Sequence, residues 1–438
     1  MTTRYIDEPT NLAFAKSTKS RKLDKELSVR VYTDAAFCFA NVEGEDTSCE
    51  VLTKTNRILP NCNSNIIYDA ISELSIDDYQ LIDYQDKDVI YLGCFYNCWG
   101  HFFTDGLAKA WYLLTDEYKE KYKGKVKIAI SFINSTLQSC PKPLLSLYKL
   151  LGLDEDDILV ISHTHTHTHT HTHTHTHEPR ATKFRSVIVP DNSLFFHNGT
   201  RHFTKEYTAT INAITDAVPT SQDKKYEKIY LSRAHFTKGN ADFGERSLES
   251  VFKRLGYTII HPQENSVLEQ IAIFKAAKSF VSTTGSLGHN SVFCNRKTEV
   301  ILLRKCWAIF DYQLVINEAK ELDVTYVDTH LTCFVNDQPN NGPFYLYRNS
   351  NFCKFIKDRF NITVQEDFST KRYMRYMRIC LMRPDMKYRT QAHEYYFNKL
   401  REELQNDSWR RKMADMLSKC LPKSIIKHIN ALYFNIFR

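Results

Sequence analysis

The sequence predicts an α/β fold made of two Rossmann-like halves, followed by a basic helical C-terminal tail. Apolar runs of strand length alternate with helical patterns in two successive series, which argues for βαβ units and mostly parallel sheets. Two runs of the second series end in polar clusters, Ser232-Arg233 and Ser282-Thr283-Thr284-Gly285-Ser286. Ligands of open α/β sheets collect at the carboxyl ends of strands. At 438 residues the chain is too long for one ordinary core. We divide it into an N-terminal α/β domain (1–215), a second Rossmann-like domain (216–345) and a tail (346–438), with a ligand cleft expected between the first two.

The first eighty residues carry weak signals: a charged start and turn chemistry near Pro60-Asn61-Cys62-Asn63. The first series then opens. Val89-Ile90-Tyr91-Leu92 reads as a strand, Gly100 to Leu114 as a helix, Val126 to Ile130 as a strand and Leu144 to Leu151 as a helix. Strand-like Ile158 to Ile161 and Val187 to Val189 follow. The second series starts with Ile229-Tyr230-Leu231. Leu248, Val251, Phe252 and Leu255 recur at i, i+3, i+4 and i+7, predicting a helix that Gly256 stops. Tyr257 to Ile260 is a strand, Val267 to Ala277 a helix, and Ser279 to Val281 and Val300 to Leu303 are further strands.

Composition bounds the class. Hydrophobic residues make up 42% of the chain and aromatic residues 13%, enough for packed cores and against global disorder. No segment reaches the roughly 18 consecutive apolar residues of a membrane span, and the start has no apolar signal core, so a cytoplasmic protein is expected. The 12 cysteines are scattered without a CxxC pair, which favours reduced, buried thiols. Cys94 and Cys98 lie four apart, yet two sulfurs make no zinc site.

The net charge of +7 belongs to the tail, where residues 371–438 hold 16 Lys and Arg against 6 Asp and Glu. Ile425, Ile426, Ile429, Leu432, Tyr433 and Ile436 recur there at helical spacing beside Lys423 and Lys427. Such a helix either docks on the protein with a solvated basic face or makes peripheral contact with an anionic membrane through 371–438. No nucleic-acid module is recognisable, so no nucleic-acid partner is expected.

Residues 163–177 alternate eight histidines with seven threonines. Imidazoles on one face of an extended chain can hold nickel, zinc or copper. A low-complexity loop with incidental metal affinity is the plainer account, because catalysis needs a fixed geometry and supporting contacts.

Two clusters can carry chemistry. His101 and Asp105 stand four apart, so on a helix they share a face, where a carboxylate orients an imidazole as a general base or merely forms a structural hydrogen bond. In the second half, Arg233 and the turn from Thr284 to Asn290 offer a fixed cation and backbone N–H groups to a diphosphate. Arg246 and Lys238 are further cations, more simply read as surface residues.

The ordered succession Gly100-His101-Phe102-Phe103-Thr104-Asp105, Tyr230-Leu231-Ser232-Arg233, Gly244-Glu245, Gly256-Tyr257, Glu269-Gln270 and Gly285 to Asn290 resembles glycosyltransferase family 61. The resemblance spans about Val89 to Arg304. It implies a GT-B-like architecture of two Rossmann-like domains and inverting, metal-independent transfer of a hexose or pentose, with no cofactor and no metal ligand. The implied partners are a nucleotide-sugar donor and a saccharide acceptor, in surface or capsular polysaccharide synthesis, and the basic tail would suit a lipid-linked glycan acceptor at the inner membrane face. His101 or Asp105 is then the catalytic base. The implied donor-binding residues are Arg233, Glu245, Glu269, Gln270, Thr284, Gly285, Ser286, His289 and Asn290. Glu269 can accept ribose hydroxyls or simply favour a helix start. The sequence departs from the family at Thr284, where histidine is usual, with a histidine only at His289. That departure keeps open a rival reading, a nucleotide- or glycan-binding protein without turnover, and the His-Thr tract keeps open a second, a metal-binding protein acting through residues 163–177.

Overall fold

The computed structural model describes residues 4–5, 20–42, 46–52, 56–59, 68–71, 81–133, 135–162, 180–197, 199–235, 242–306, 309–331 and 344–382. The His-Thr alternation at 163–177, Lys238 and the helical pattern at 423–436 lie outside the described residues.

The first half is built on an eight-stranded mixed sheet. Its strands include β2 (Val29–Val42), β3 (Asp46–Leu52), β4 (Asn56–Leu59), β5 (Tyr68–Ile71) and β6 (Leu81–Phe95). They also include β7 (Lys127–Phe132), β8 (Ile158–Ile161) and β9 (Arg180–Pro190), in the order β5-β4-β3-β2-β9-β6-β7-β8. Strands β8, β7, β6 and β9 run parallel, and β2 to β5 continue the sheet as an antiparallel meander. Within the parallel part, the strand order reverses between β6 and β9. A short hairpin, β10 (Leu194–His197) and β11 (Thr200–Phe203), follows β9.

The second half carries a six-stranded sheet in which every pairing is parallel. In chain order its strands are β1 (Arg4–Tyr5), β12 (Lys228–Leu231), β14 (Thr258–Ile260), β15 (Ser279–Thr283), β16 (Glu299–Arg304) and β17 (Asp323–Asp328). The spatial order is β1-β17-β16-β15-β12-β14. Two short strands, β13 (Asp242–Phe243) and β18 (Phe344–Tyr345), pair beside it. Counted from β12, the order is 2-1-3-4-5, that of a doubly wound sheet, and its switch point falls between β12 and β15. From Ile229 to Leu231 and from Ser279 to Thr283 both strands are buried on both faces, as parallel strands covered by helices must be.

The helices are α1 (Trp99–Phe103), α2 (Lys142–Leu150), α3 (Lys205–Asp216), α4 (Glu245–Arg254), α5 (Val267–Ala276), α6 (Asp311–Ala319), α7 (Ser350–Phe360) and α8 (Thr370–Met382). Helix α4 buries Leu248, Val251 and Phe252 and ends before Gly256, whose φ of +82° suits a left-handed stop. The single helix expected from Gly100 to Leu114 is broken: α1 ends at Phe103, and 3₁₀ turns at Asp105–Leu107 and Ala110–Leu114 continue the path. The first part of the tail docks on the protein. Tyr373 and Tyr376 of α8 are buried against Tyr345, with ring centroids 5.0 and 5.9 Å away, while Lys371 and Arg375 face solvent. No described helix is long and apolar enough to cross a membrane.

One apolar core runs through both halves, joining Phe103, Leu107 and Tyr207 to Phe274, Val292 and Phe293. The ring of Phe103 meets those of Trp99 and Phe293 edge-on at 5.4 and 5.6 Å. Polar groups at the seam are therefore held by packing on both sides.

Candidate active site

On the first half, the site begins where β6 ends beside the strand-order reversal. Tyr96 and Asn97 lead into α1, which is only five residues long. The side chain of Thr104 turns back to donate to the carbonyl of Gly100 at 2.9 Å, and the chain tightens into the 3₁₀ turn that begins with Asp105. Although the long helix is absent, His101 and Asp105 still meet: Nδ1 of His101 bonds Oδ2 of Asp105. The carboxylate is almost fully buried. Its other oxygen accepts from the Tyr312 hydroxyl at 2.6 Å, reaching across from α6. The guanidinium of Arg201 lies 3.7 Å from the centroid of the Tyr312 ring, a cation–π contact that fixes the phenol. With Nδ1 committed to a carboxylate, the imidazole keeps its free lone pair on Nε2.

On the second half, the site surrounds the switch point. After β12, the backbone N–H of Arg233 donates to Oε1 of Glu245 at 3.0 Å, and the Ser232 hydroxyl donates to Glu249 at 2.7 Å. The Arg233 Nε stands 3.9 Å from Oδ2 of Asp242, and the Lys305 Nζ stands 3.8 Å from the same oxygen. Lys305 follows β16 directly and is 6% exposed on its side chain, against 25% for Arg233. Burial, followed by the Asp242 charge, pushes the Glu245 carboxyl up to about 8, so at neutral pH this group is mostly protonated.

The turn after β15 closes the site. Thr284 is buried and its hydroxyl accepts from the Lys305 backbone N–H at 3.3 Å. Gly285 has a φ of +96°, and a side chain there would begin 3.5 Å from Cε of Lys305, so the turn needs glycine for its backbone and lies against the buried amine. Asn290 accepts from the Trp99 indole at 2.8 Å and donates to the carbonyl of Leu287 at 2.9 Å, locking the turn to α1. His289 is buried, and neither of its ring nitrogens has a hydrogen-bond partner among the described residues. Burial first, then the positive fields of His101 and Lys305, lower its pKa to about 3, so it is a neutral imidazole between the two halves. Gly100 permits this approach: a Cβ there would lie 2.8 Å from the Ser286 hydroxyl and 3.3 Å from Nδ1 of His289.

The structure thus gathers His101 and Asp105 with Ser286, His289 and Asn290 across one seam, and Arg233, Glu245, Thr284 and Gly285 around Asp242 and Lys305. Glu269 and Gln270 spend their side chains elsewhere. Glu269 forms a reciprocal cap with Ser266 at the start of α5, and Gln270 donates to the carbonyls of Pro262 and Asn265 at 2.9 and 3.0 Å.

Sequence reasoning passed over Lys305, Asp242, Tyr312 and Arg201. Lys305 had a signal, since it stands two residues past the apolar run Val300 to Leu303, as Arg233 stands two past Leu231. Tyr312 had none, because its partner Asp105 is 207 positions away. A further set of possible metal ligands, His235, His261 and Glu264, lies at the ends of β12 and β14.

Residues 99–301 match the family model described as Glycosyltransferase 61. No curated protein matches the chain. The family implies glycosyltransferase activity, with a nucleotide-sugar donor and a glycan acceptor. The matched stretch begins at the residue before Gly100 and ends within β16, so it takes in His101, Asp105, Arg233, Glu245 and the turn from Thr284 to Asn290, with Lys305 and Tyr312 just beyond it, and over these residues the chain is similar to glycosyltransferase family 61.

Proposed function

We propose that the chain transfers a hexose or pentose from a nucleotide-sugar donor to a hydroxyl of a saccharide or lipid-linked glycan acceptor, with inversion at the anomeric carbon. His101 is the base. Its Nε2 takes the proton of the acceptor hydroxyl while Asp105 holds Nδ1–H and stabilises the imidazolium that forms. The acceptor oxygen attacks the anomeric carbon from the face opposite the diphosphate, and the bond from that carbon to the leaving oxygen breaks. Arg233, Lys305 and the backbone at Gly285 receive the charge that develops on the diphosphate, in the place where two cations and a left-handed turn sit beside a sheet's switch point. Because protein cations serve the leaving group, this chemistry needs no metal ion.

The observation that carries this reading is the meeting, across one packed seam, of a carboxylate-oriented imidazole and an anion-binding turn backed by a buried lysine. Two sheets, one wholly parallel and one with a four-stranded parallel part, each with a strand-order reversal near the seam, support a GT-B-like pair of Rossmann domains, with limits near 1–215 and 216–345. The positive balance of 371–438 supports a cytoplasmic protein whose acceptor lies at an anionic membrane surface, as in capsular or surface polysaccharide synthesis.

The test is a panel of nucleotide sugars incubated with the protein, reading release of the nucleoside diphosphate and the rise in melting temperature. One donor should do both, and His101→Ala should abolish release while keeping the thermal shift. A donor that binds the native chain with no release, with or without glycan acceptors, would instead establish the non-catalytic binding reading.

A further inference from the structure

Outside the transfer chemistry, three potential ligands converge at the carboxyl edge of the second sheet. β12 and β14 are neighbours, with Leu231 opposite Ile260. His261 follows Ile260 directly, and His235 lies two residues past Arg233. Pro262 sets the next turn as a 3₁₀ helix, and the Glu264 N–H donates to the His261 carbonyl at 2.9 Å. Residues three apart in such a turn project to the same side. The His235 and His261 rings stack with centroids 3.8 Å apart and planes 16° from parallel. Nδ1 of His235 is 3.3 Å from Oε1 of Glu264, and one ligand atom from each of the three residues lies within 4.8 Å of the others. Nδ1 of His261 is shielded from solvent and has no hydrogen-bond partner among the described residues.

We propose that His235, His261 and Glu264 form a binding site for a zinc-class divalent cation. Two imidazoles and one carboxylate are the donor set of three-ligand zinc sites, whereas magnesium and calcium prefer oxygen donors. Metal–ligand bonds of about 2.0–2.2 Å place tetrahedral donor atoms roughly 3.3–3.6 Å apart. His261 is held by its turn. His235 and Glu264, about half exposed on their side chains, can rotate the remaining distance. An ion would give the shielded Nδ1 of His261 its missing partner and would draw the stacked rings together, where two protonated imidazoles would repel. A fourth position stays open to water. The inference does not rest on the transfer reading, since His101 and the diphosphate cations act without this ion.

Residues 163–177 would mask such a site in any simple titration, because eight histidines compete for the same metals. The test therefore uses the full chain with those eight histidines replaced by serine, titrated with zinc against a chromophoric chelator and loaded separately with cobalt(II). The expected result is one ion per chain and visible cobalt bands of four-coordinate type. His261→Ala should weaken binding about tenfold or more, as should the double variant His235→Ala with Glu264→Gln, with unchanged circular dichroism in chelator. If the serine variant does not fold, the native chain should hold one more tightly bound zinc than its His261→Ala form. Absence of a bound ion, or equal binding by the native and both ligand-removed chains, would overturn the assignment and leave the three residues as a stacked, hydrogen-bonded surface cluster.

Discussion

The hydroxyl of Tyr312 donates to Oδ1 of Asp105 at 2.6 Å, tying helix α6 of the second half to the carboxylate that holds His101 in the first. Asp105 is thereby satisfied at both oxygens, by an imidazole on one side and a phenol on the other. A buried carboxylate so held fixes the His101 tautomer without consuming the proton it stabilises. Tyr312→Phe removes one acceptor bond and leaves the pair intact, so kcat should fall about tenfold with little change in KM. Asp105→Asn permits the wrong tautomer and should cost about a thousandfold or more in kcat. Initial rates of nucleoside diphosphate release measure both, and an Asp105→Asn enzyme with native kcat would remove the Asp105 carboxylate from the mechanism.

Gly100→Ala tests whether the seam must be this tight. The new methyl would meet the Ser286 hydroxyl at 2.8 Å, and that short side chain can rotate away. It would also stand 3.3 Å from Nδ1 of His289, whose ring is boxed in by Phe103 and Tyr312 at centroid distances of 6.4 and 6.2 Å. Overpacking of this kind destabilises by about 1–3 kcal/mol. Because the displaced groups belong to the site, turnover should fall further than stability, by at least about tenfold, which parallel denaturation and rate measurements would resolve.

The second sheet was legible in the sequence because its strands are buried on both faces and its helices one-sided. Ile229 to Leu231, Ser279 to Val281 and Val300 to Leu303 all lie within strands, and the Val267 helix ends within one residue of its expected limit. The antiparallel meander of β2 to β5 was not legible. It lies in a stretch of mixed polarity, where alternation is weak and pairing partners are distant in sequence. The break after Phe103 was missed for another reason: apolar residues on every side of Gly100 to Leu114 reflect burial between the halves, where packing overrides helical periodicity. His101 with Asp105, and Arg233 with Gly285, could be read locally. The contacts that unite them, through Tyr312, Lys305 and Asp242, are products of the tertiary fold.

The protonation of Glu245 predicts a pH dependence of stability. Its folded pKa of about 8 lies above the ordinary carboxylate value of 4.5, so the folded chain binds a proton that the unfolded chain releases between those two values. Its contribution is therefore complete below about pH 4.5 and is lost as pH rises toward 8. Glu245→Gln keeps a neutral group and an acceptor for the Arg233 N–H, and should flatten this dependence, making the variant relatively more stable at pH 9 than at pH 5. Denaturant unfolding of both chains at pH 5, 7 and 9 measures it, and parallel curves would show that Glu245 is ionised in the fold.

The two cations around Asp242 separate a structural role from a ligand-binding one. Arg233 is partly exposed, so Arg233→Ala should weaken nucleoside diphosphate binding with only a small loss of stability. Lys305 is buried, and Lys305→Met leaves the Asp242 carboxylate, 2% exposed on its side chain, with one long-range partner, a change worth about 3 kcal/mol of stability. Adding Asp242→Asn to Lys305→Met removes that unmatched charge and should restore much of the stability. If Lys305 also serves the diphosphate by direct contact, the double variant will still bind it less tightly than the native chain, because the ammonium beside Gly285 is gone although the local charge balance is restored. Calorimetric titration with a nucleoside diphosphate, alongside denaturant unfolding, distinguishes the roles: full return to native affinity together with stability would make Lys305 a counterion of Asp242 alone, and would leave Arg233 and the Gly285 turn to carry the leaving group.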